Sequence, residues 1–386
     1  MSAFVTDGSF HLASTVIRSI GKRQVDVFAG DWVNYRFGSR FCKRYYEYPH
    51  PVSPEFIPFL YDLMKKHPAD VLIPMSNITI FPIAQNKKML EEVISVPIPD
   101  FSIITKAIDK FETYMAAVNA GVPAPKTFLI QDIPDLHSRA AETGFPLILK
   151  PVSSEGSSAG VIRVDSEEDL EARYLGIHNL FGPVLLQEYI PGGSTQMRMV
   201  DVLYDNGSHP VAVFTAKKLR EYPPTGGITT LGESTWEPEI AALATKLMTD
   251  LKWKGVAEIE FKIDPRDNKP RLIEINPRFW SYLQLPVCCG VDFPYLLYKV
   301  GLGDEIAPLE NYPVGVRYIH PLRDIFSVAT SVRRDRNLHN LLRVPGSYCG
   351  VRTTAYSFMD DPMLILEKPW IGVKKMRAKN QDKGAK

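Results

Sequence analysis

The sequence predicts an α/β and α+β protein: a doubly wound parallel sheet over the first hundred residues, then a region built mostly of strands. Three observations lead there. Apolar runs of strand length alternate with helical stretches up to about residue 100. The breaker Pro97-Ile98-Pro99 ends that pattern. Beyond it, β-rich runs follow one another, punctuated by Gly, Pro and Asn turns. We place a boundary near residue 105. A length of 386 residues suits two or three domains and buries a large core without disulfide or metal staples.

The elements follow in order. Ala3 to Thr6 is a strand ending in Asp7-Gly8-Ser9, and Leu12 to Ile20 a helix stopped by Gly21. Val25 to Ala29 is a second strand. Ser53-Pro54-Glu55 offers a capping hydroxyl, a proline at the first helical position and an acid, so a helix runs from there to about Lys66. Val71 to Pro74 is a third strand, ending in Met75-Ser76-Asn77. Parallel sheets collect ligands beyond the carboxyl ends of their strands. The loops at Asp7 and Met75 are therefore candidate ligand edges, with plain turns as the alternative. Neither carries GxGxxG, so a dinucleotide site is unsupported. Asp109-Lys110-Phe111-Glu112 reads as a capping box. Phe111, Tyr114, Met115 and Val118 line the apolar face of that helix, which Gly121 ends. Strands are expected at Thr127 to Ile130, Pro146 to Lys150, Gly160 to Val164, Val184 to Tyr189, Met197 to Leu203 and Val211 to Leu219. Asp205-Asn206-Gly207-Ser208 turns the last two into a hairpin. Pro238 to Leu251 is a helix, and strands Val256 to Ile263 and Arg271 to Asn276 flank an Asp/Asn/Pro turn. The remainder reads as helix-rich, for instance around Asp324 to Thr330. Lys374 to Lys386 holds six basic residues and one acid, and reads as a disordered tail.

Composition excludes several functions. With 45 Lys+Arg against 44 Asp+Glu, no global basic field invites nucleic acid or a membrane surface. No run of 18 apolar residues exists, and MSAFVTDGSF lacks the pattern of a signal peptide, so a cytoplasmic protein is expected. Cys42, Cys288, Cys289 and Cys349 show no CxxC spacing and read as reduced thiols.

Four stretches carry chemistry. In Ile259-Glu260-Phe261, alternation puts Glu258, Glu260 and Lys262 on one face. In the partner strand, Leu272, Glu274 and Asn276 share a face. A turn around residues 264 to 269 sets Glu260 opposite Glu274 within one residue. Like charges across a ladder repel. A hard cation taking two carboxylates and an amide oxygen, magnesium above all, would compensate; a solvated acidic edge with Lys262 and Arg271 as counter-ions is the alternative. Second, Leu147 to Lys150 delivers a lysine at a strand end, and a Ser/Gly loop follows whose backbone could cradle phosphate; it is not a Walker loop, and a hairpin connection is the other reading. Third, Leu185-Leu186-Gln187-Glu188-Tyr189-Ile190-Pro191-Gly192-Gly193 is an apolar strand ending in a hinge whose backbone could meet an adenine edge, with a buried edge strand as the alternative. Fourth, Lys217-Lys218-Leu219-Arg220 precedes a Pro/Gly loop, as an anion clamp or a solvated strand end.

Taken in order, these pieces resemble the ATP-grasp superfamily over roughly residues 106 to 300. Residues 1 to 105 resemble the Rossmann-like domain that precedes the grasp. Lys218 to Gly227 and Asn276-Pro277-Arg278-Phe279-Trp280 are similar to the short carbamoyl-phosphate-synthase-like branch of ATP-dependent carboligases, near the D-aspartate ligases. The resemblance implies an ATP-grasp fold at 106–305 with a lid subdomain at about 125–190, and an extension at 306–386. It implies ATP and Mg2+ (or Mn2+) as cofactors. Lys110 and Lys150 would hold phosphates. Ser153, Ser154, Gly156, Ser157 and Ser158 fall on the loop that closes over them. Gln187, Glu188, Tyr189 and Ile190 fall on the adenine hinge. Glu260, Glu274 and Asn276 fall on the metal ligands. Lys218 would reach toward the triphosphate, and Arg278 would steady the intermediate or acceptor. Trp280 stands where many members carry small or polar residues. The implied reaction joins a small-molecule carboxylate to an amine through an acylphosphate, with no nucleic acid or membrane partner, in a chain compatible with a homodimer. Bicarbonate activation and a non-catalytic ATP-binding module are the competing readings.

Overall fold

The computed structural model describes residues 1–33, 39–153, 160–224, 226–309, 311–335, 344–355 and 360–361. The chain opens on a four-stranded parallel sheet of β1 (Ser2–Val5), β2 (Asp26–Asp31), β3 (Cys42–Glu47) and β4 (Val71–Ile73). Their order is β3-β2-β1-β4, so the chain reverses direction across the sheet beside β1. Strand β3 escapes the sequence reading because it is an edge. Its Cys-Lys-Arg-Tyr-Tyr-Glu run is half exposed and has no apolar stretch. The helix expected from Ser53 starts at Phe56, because Ser53 first closes a turn with the amides of Glu55 and Phe56.

A second sheet comprises β5 (Thr127–Leu129), β6 (Leu147–Pro151), β7 (Ile162–Val164) and β8 (Val184–Glu188), antiparallel in the order β5-β8-β6-β7. Helices Ile133–Thr143 and Leu170–Phe181 cover it and close a separate core around Leu136, Leu147, Leu170 and Leu186. The strand-dominated expectation overlooks both helices: the first buries only Leu136 and Ala140, and the second buries Leu170, Tyr174 and Ile177 but leaves Leu175, Leu180 and Phe181 exposed.

The third sheet has seven strands. These are β9 (Met197–Tyr204), β10 (Pro210–Tyr222), β11 (Ile228–Thr235), β12 (Gly255–Asp264), β13 (Lys269–Asn276), β14 (Arg317–Ile319) and β15 (Val351–Thr354), in the order β13-β12-β9-β10-β11-β14-β15. Strand β11 gives no sequence signal because Thr229 to Ser234 are all buried, so alternation is absent. Strands β14 and β15 come from the stretch after residue 306 and extend this same sheet.

Apolar packing runs without a break from the first sheet into the third. One cluster contains Phe4 and Leu72 of the parallel sheet together with Val200, Ile259 and Ile275. Gly255 marks a close approach. Its φ is +70°, and a Cβ there would sit 2.2 Å from the Pro97 carbonyl oxygen. The stretch after 306 is held by charge. Asp324, on helix Pro321–Asp335, accepts from Arg220 Nε at 2.9 Å and Nη2 at 2.7 Å, and from the Thr230 and Tyr348 hydroxyls at 2.8 Å each. No helix among the described residues is long and apolar enough to cross a membrane.

Candidate functional site

The β12–β13 hairpin sets Glu260 directly opposite Glu274 and Glu258 opposite Asn276. The register slips between Glu260 and Phe261, because Ile273 is an extra residue on β13. A bulge of this kind resets which face a side chain meets. The expected shared face of Leu272, Glu274 and Asn276 is therefore corrected. Leu272 joins Ile275 in the core, while Glu274 and Asn276 stay on the site side. The Asn276 amide donates to Glu274 Oε1 at 3.0 Å and to Glu258 Oε2 at 3.3 Å. Its oxygen accepts from Arg278 Nη2 at 3.2 Å, and Arg278 Nη1 donates to the Phe279 carbonyl.

Lys218 lies on the neighbouring part of the sheet. Its Nζ is 3.7 Å from Glu260 and 3.4 Å from Glu221, and donates to the Gly227 carbonyl at 3.1 Å. Strand β10 slips register between Lys218 and Arg220. That irregularity parts two cations on one strand: Lys218 turns to Glu260, Arg220 to Asp324. Charge is crowded here. Burial and the neighbouring Glu260 push the Glu258 carboxyl up to about 8. Glu260 is also raised, by burial against the pull of Lys218. Burial opposes the charge on Lys218, yet Glu260, Glu221 and Glu258 lift it to about 12. Asp201 faces Glu258 across β9 and is raised well above the usual range by burial and by Glu258. It accepts from the Tyr282 hydroxyl at 2.7 Å.

The lysines come from the other side. Asp109 caps helix Lys110–Asn119 by accepting from the amides of Phe111 and Glu112. The reciprocal half of the expected capping box is not made, because the Asp109 N–H donates to the Thr105 carbonyl. The Lys110 amide donates to the carbonyl of Val152, just past β6, which places the helix start beside the strand that carries Lys150. Lys150 is buried, and its Nζ donates to Gln187 Oε1 at 2.9 Å. Gln187 in turn donates to Thr127 Oγ1 at 2.7 Å. This chain crosses β6, β8 and β5 and aims the lysine. Burial and the nearby Lys110 bring Lys150 down to about 8. Burial lowers Lys110 too, while Glu274 and Asp109 oppose that. Glu274 thus lies within electrostatic reach of both lysines.

The hinge residues are engaged differently from each other. Gln187 orients Lys150. The Glu188 carboxylate pairs with Arg266 at 2.5 Å. Tyr189 has Arg163 over its ring at 4.5 Å, and the Ile190 carbonyl accepts from Lys262 at 2.8 Å. Ser153 ends the described part of its loop; Ser154, Gly156, Ser157 and Ser158 lie outside the described residues. Trp280 is wholly buried and stacks edge-on against Phe293 at 5.0 Å. It is core, not pocket lining. At the first sheet, Asp7 binds the two candidate loops together: it accepts from the hydroxyl of Thr79 at 2.7 Å and from the Met75 amide at 3.3 Å. Burial lifts Asp7 to about 6. Sequence reasoning missed Glu221 and Asp201. Glu221 had a weak signal, three residues after Lys218; Asp201 had none, since a lone acid in an apolar strand names no partner.

Among the described residues no trio of His, Cys, Asp and Glu converges to hold a metal unaided. Two carboxylates with an amide oxygen still suit a magnesium ion that keeps waters or takes substrate oxygens. Burial, together with the neighbouring carboxylates, raises Glu258 and Glu260, and a cation placed among them would oppose that rise.

Comparison with known proteins finds similar sequences and a similar fold. The family model described as "ATP-grasp in the biosynthetic pathway with Ter operon" matches residues 180–321. Over those residues the chain is similar to that ATP-grasp family. A D-aspartate ligase from Enterococcus faecium is 24% identical over 210 residues, covering 51% of this chain and 50% of that one. A D-alanine–D-alanine ligase from Pseudomonas entomophila is 26% identical over 237 residues, covering 56% and 71%. The chain thus spans half the length of the D-aspartate ligase. Among solved structures, the biotin carboxylase domain of 2-oxoglutarate carboxylase from Hydrogenobacter thermophilus aligns with a TM-score of 0.69 at 19% identity. That alignment covers 82% of this chain and 73% of the carboxylase domain, a likeness of fold.

Proposed function

We propose that this chain is an ATP-dependent ligase that activates a small carboxylate as an acylphosphate and passes it to an amine, releasing ADP and phosphate. One observation carries the reading. The hairpin sets Glu260 against Glu274 beside Asn276, with Lys218 at 3.7 Å, and both Lys150 on β6 and Lys110 at a helix start lie within electrostatic reach of Glu274. Such a site is built to place opposite charges around a triphosphate. The two ligases among the relatives support the chemistry.

A carboxylate is a poor electrophile because its oxygen is a poor leaving group. Attack of its oxygen on the γ-phosphorus expels ADP and leaves an acylphosphate, from which phosphate departs readily. Phosphoryl transfer relies mainly on positioning and charge neutralisation. Lys110 and Lys150 would hold phosphate oxygens, with Gln187 aiming Lys150. Lys218 would face the transferring group and Arg278 the acyl oxygen. Glu260, Glu274 and Asn276 would hold magnesium or manganese, which supplies charge neutralisation on the phosphates. The amine nitrogen then attacks the acyl carbon, phosphate leaves and one proton is released. We further propose a first domain at 1–105 and an ATP-grasp domain at 106–305, with residues of the 125–190 segment acting as lid over the nucleotide and the stretch after 306 an extension whose strands β14 and β15 join the grasp sheet.

The test is ADP and phosphate release with magnesium, ATP and pools of carboxylates and amines. Glu274→Ala should abolish substrate-dependent ADP and leave the fold intact, because that carboxylate contributes repulsion more than packing. Wild-type activity in Glu274→Ala removes the metal assignment. ADP that needs bicarbonate alone would favour carboxylation, and AMP in place of ADP would refute the acylphosphate.

A further inference from the structure

Glu258 is a third carboxylate on the face that carries Glu260, and the resemblance gives it no role. It is 6% exposed and lies between Asp201 on β9 and Asn276 on β13. Burying it next to two other acids is unfavourable, so a compensating function is worth seeking.

Its contacts indicate one. An asparagine amide has two faces, a carbonyl oxygen with two lone pairs and an NH2 with two protons. Turning the amide over exchanges them. At Asn276, Nδ2 gives one proton to Glu274 at 3.0 Å and the other to Glu258 at 3.3 Å. Oδ1 accepts from Arg278 at 3.2 Å. Donors and acceptors are matched, and the turned-over amide would point its NH2 at a guanidinium and its oxygen at two carboxylates. Glu274, however, has a second duty if its oxygens bind a cation. The constant acceptor is then Glu258.

We propose that Glu258 is a positioning residue that fixes the Asn276 amide with its oxygen toward the cation and Arg278. This rests on the cation-site reading above and extends it to a residue outside the ligand set. Groups that orient a metal ligand commonly matter about 10–100-fold in affinity. Glu258→Gln keeps the volume and an acceptor oxygen for Nδ2, whereas Glu258→Ala keeps neither.

The experiment measures Mn2+ binding to the full chain by the loss of free-ion EPR signal, with a non-hydrolysable ATP analogue present and no turnover. Wild type should bind Mn2+ in a nucleotide-dependent way. Glu258→Ala should weaken that binding about tenfold, and Glu258→Gln should stay within about twofold of wild type. Equal loss in both variants means charge, not orientation, and overturns the proposal. So does wild-type affinity in Glu258→Ala. No nucleotide-dependent Mn2+ binding by wild type refutes the underlying cation-site reading itself. If Glu258→Ala does not fold, Glu258→Gln against Glu258→Met makes the same comparison at constant volume, and equal affinities there overturn the proposal.

Discussion

Removing one carboxylate far along the chain should destabilise the whole molecule. Asp324 is fully buried and receives four hydrogen bonds, two of them from Arg220. Arg220 is itself largely covered, and its Nη1 donates to Ser347 Oγ at 2.7 Å. Asp324→Ala leaves that guanidinium without its counter-ion and two hydroxyls without their acceptor. Breaking such a pair by deleting one member costs about 3–5 kcal/mol. Folding free energies of domains are about 5–15 kcal/mol, so the loss is a large part of the total. With a urea dependence of about 3 kcal/mol per molar, the unfolding midpoint should fall by about 1 M or more. The measurement is a urea titration followed by tryptophan fluorescence, with ADP release assayed on the same samples. The paired substitution Arg220→Met with Asp324→Leu removes both charges and should recover most of the loss, since apolar replacement of a buried pair is near neutral. A midpoint shift below about 0.3 M for Asp324→Ala, or a pair no better than the single change, would refute this account.

Three further outcomes are expected. Lys150 has a folded-state value of about 8, below its unfolded value, so the folded protein sheds this proton first. Nucleotide affinity measured by calorimetry should fall as pH rises above 8, by up to about tenfold per pH unit, and Lys150→Ala should be weak and flat; a flat wild-type profile to pH 9.5 refutes the phosphate role. The same group should make its own contribution to stability rise between pH 8 and about 10.4, as the buried lysine loses its charge. Gly255→Ala should lower the melting temperature by several degrees, because it adds left-handed strain to a 2.2 Å clash with Pro97; a wild-type melt would mean the two sheets are not joined there.

Much of the site was legible because strand periodicity is local. Two residues per repeat suffices to put Glu258 and Glu260 together, and an Asp-Pro-Arg-Asp-Asn turn sets the return strand, so Glu260 against Glu274 was readable. The phase of β13 was not. One extra residue, Ile273, moves Leu272 into the core, and bulges leave no mark in residue type. The buried strand β11 and the exposed edge β3 were missed for opposite reasons, uniform burial and uniform polarity. Trp280 stands at a motif position where many members carry small or polar residues, and packing put it in the core.

By itself, the sequence determined the places of several strands and helices, the resemblance to ATP-grasp proteins, and the candidate lysines and carboxylates, because these follow from short-range pattern and residue chemistry. Tertiary structure decided what those groups face. It brought Gln187 onto Lys150, Arg220 onto Asp324 across 104 positions, and Glu258 onto Asn276. It also turned the stretch after residue 306 into two strands of the main sheet. Such pairings depend on register, bulges and burial, which are settled when distant segments pack and are not written in any one of them.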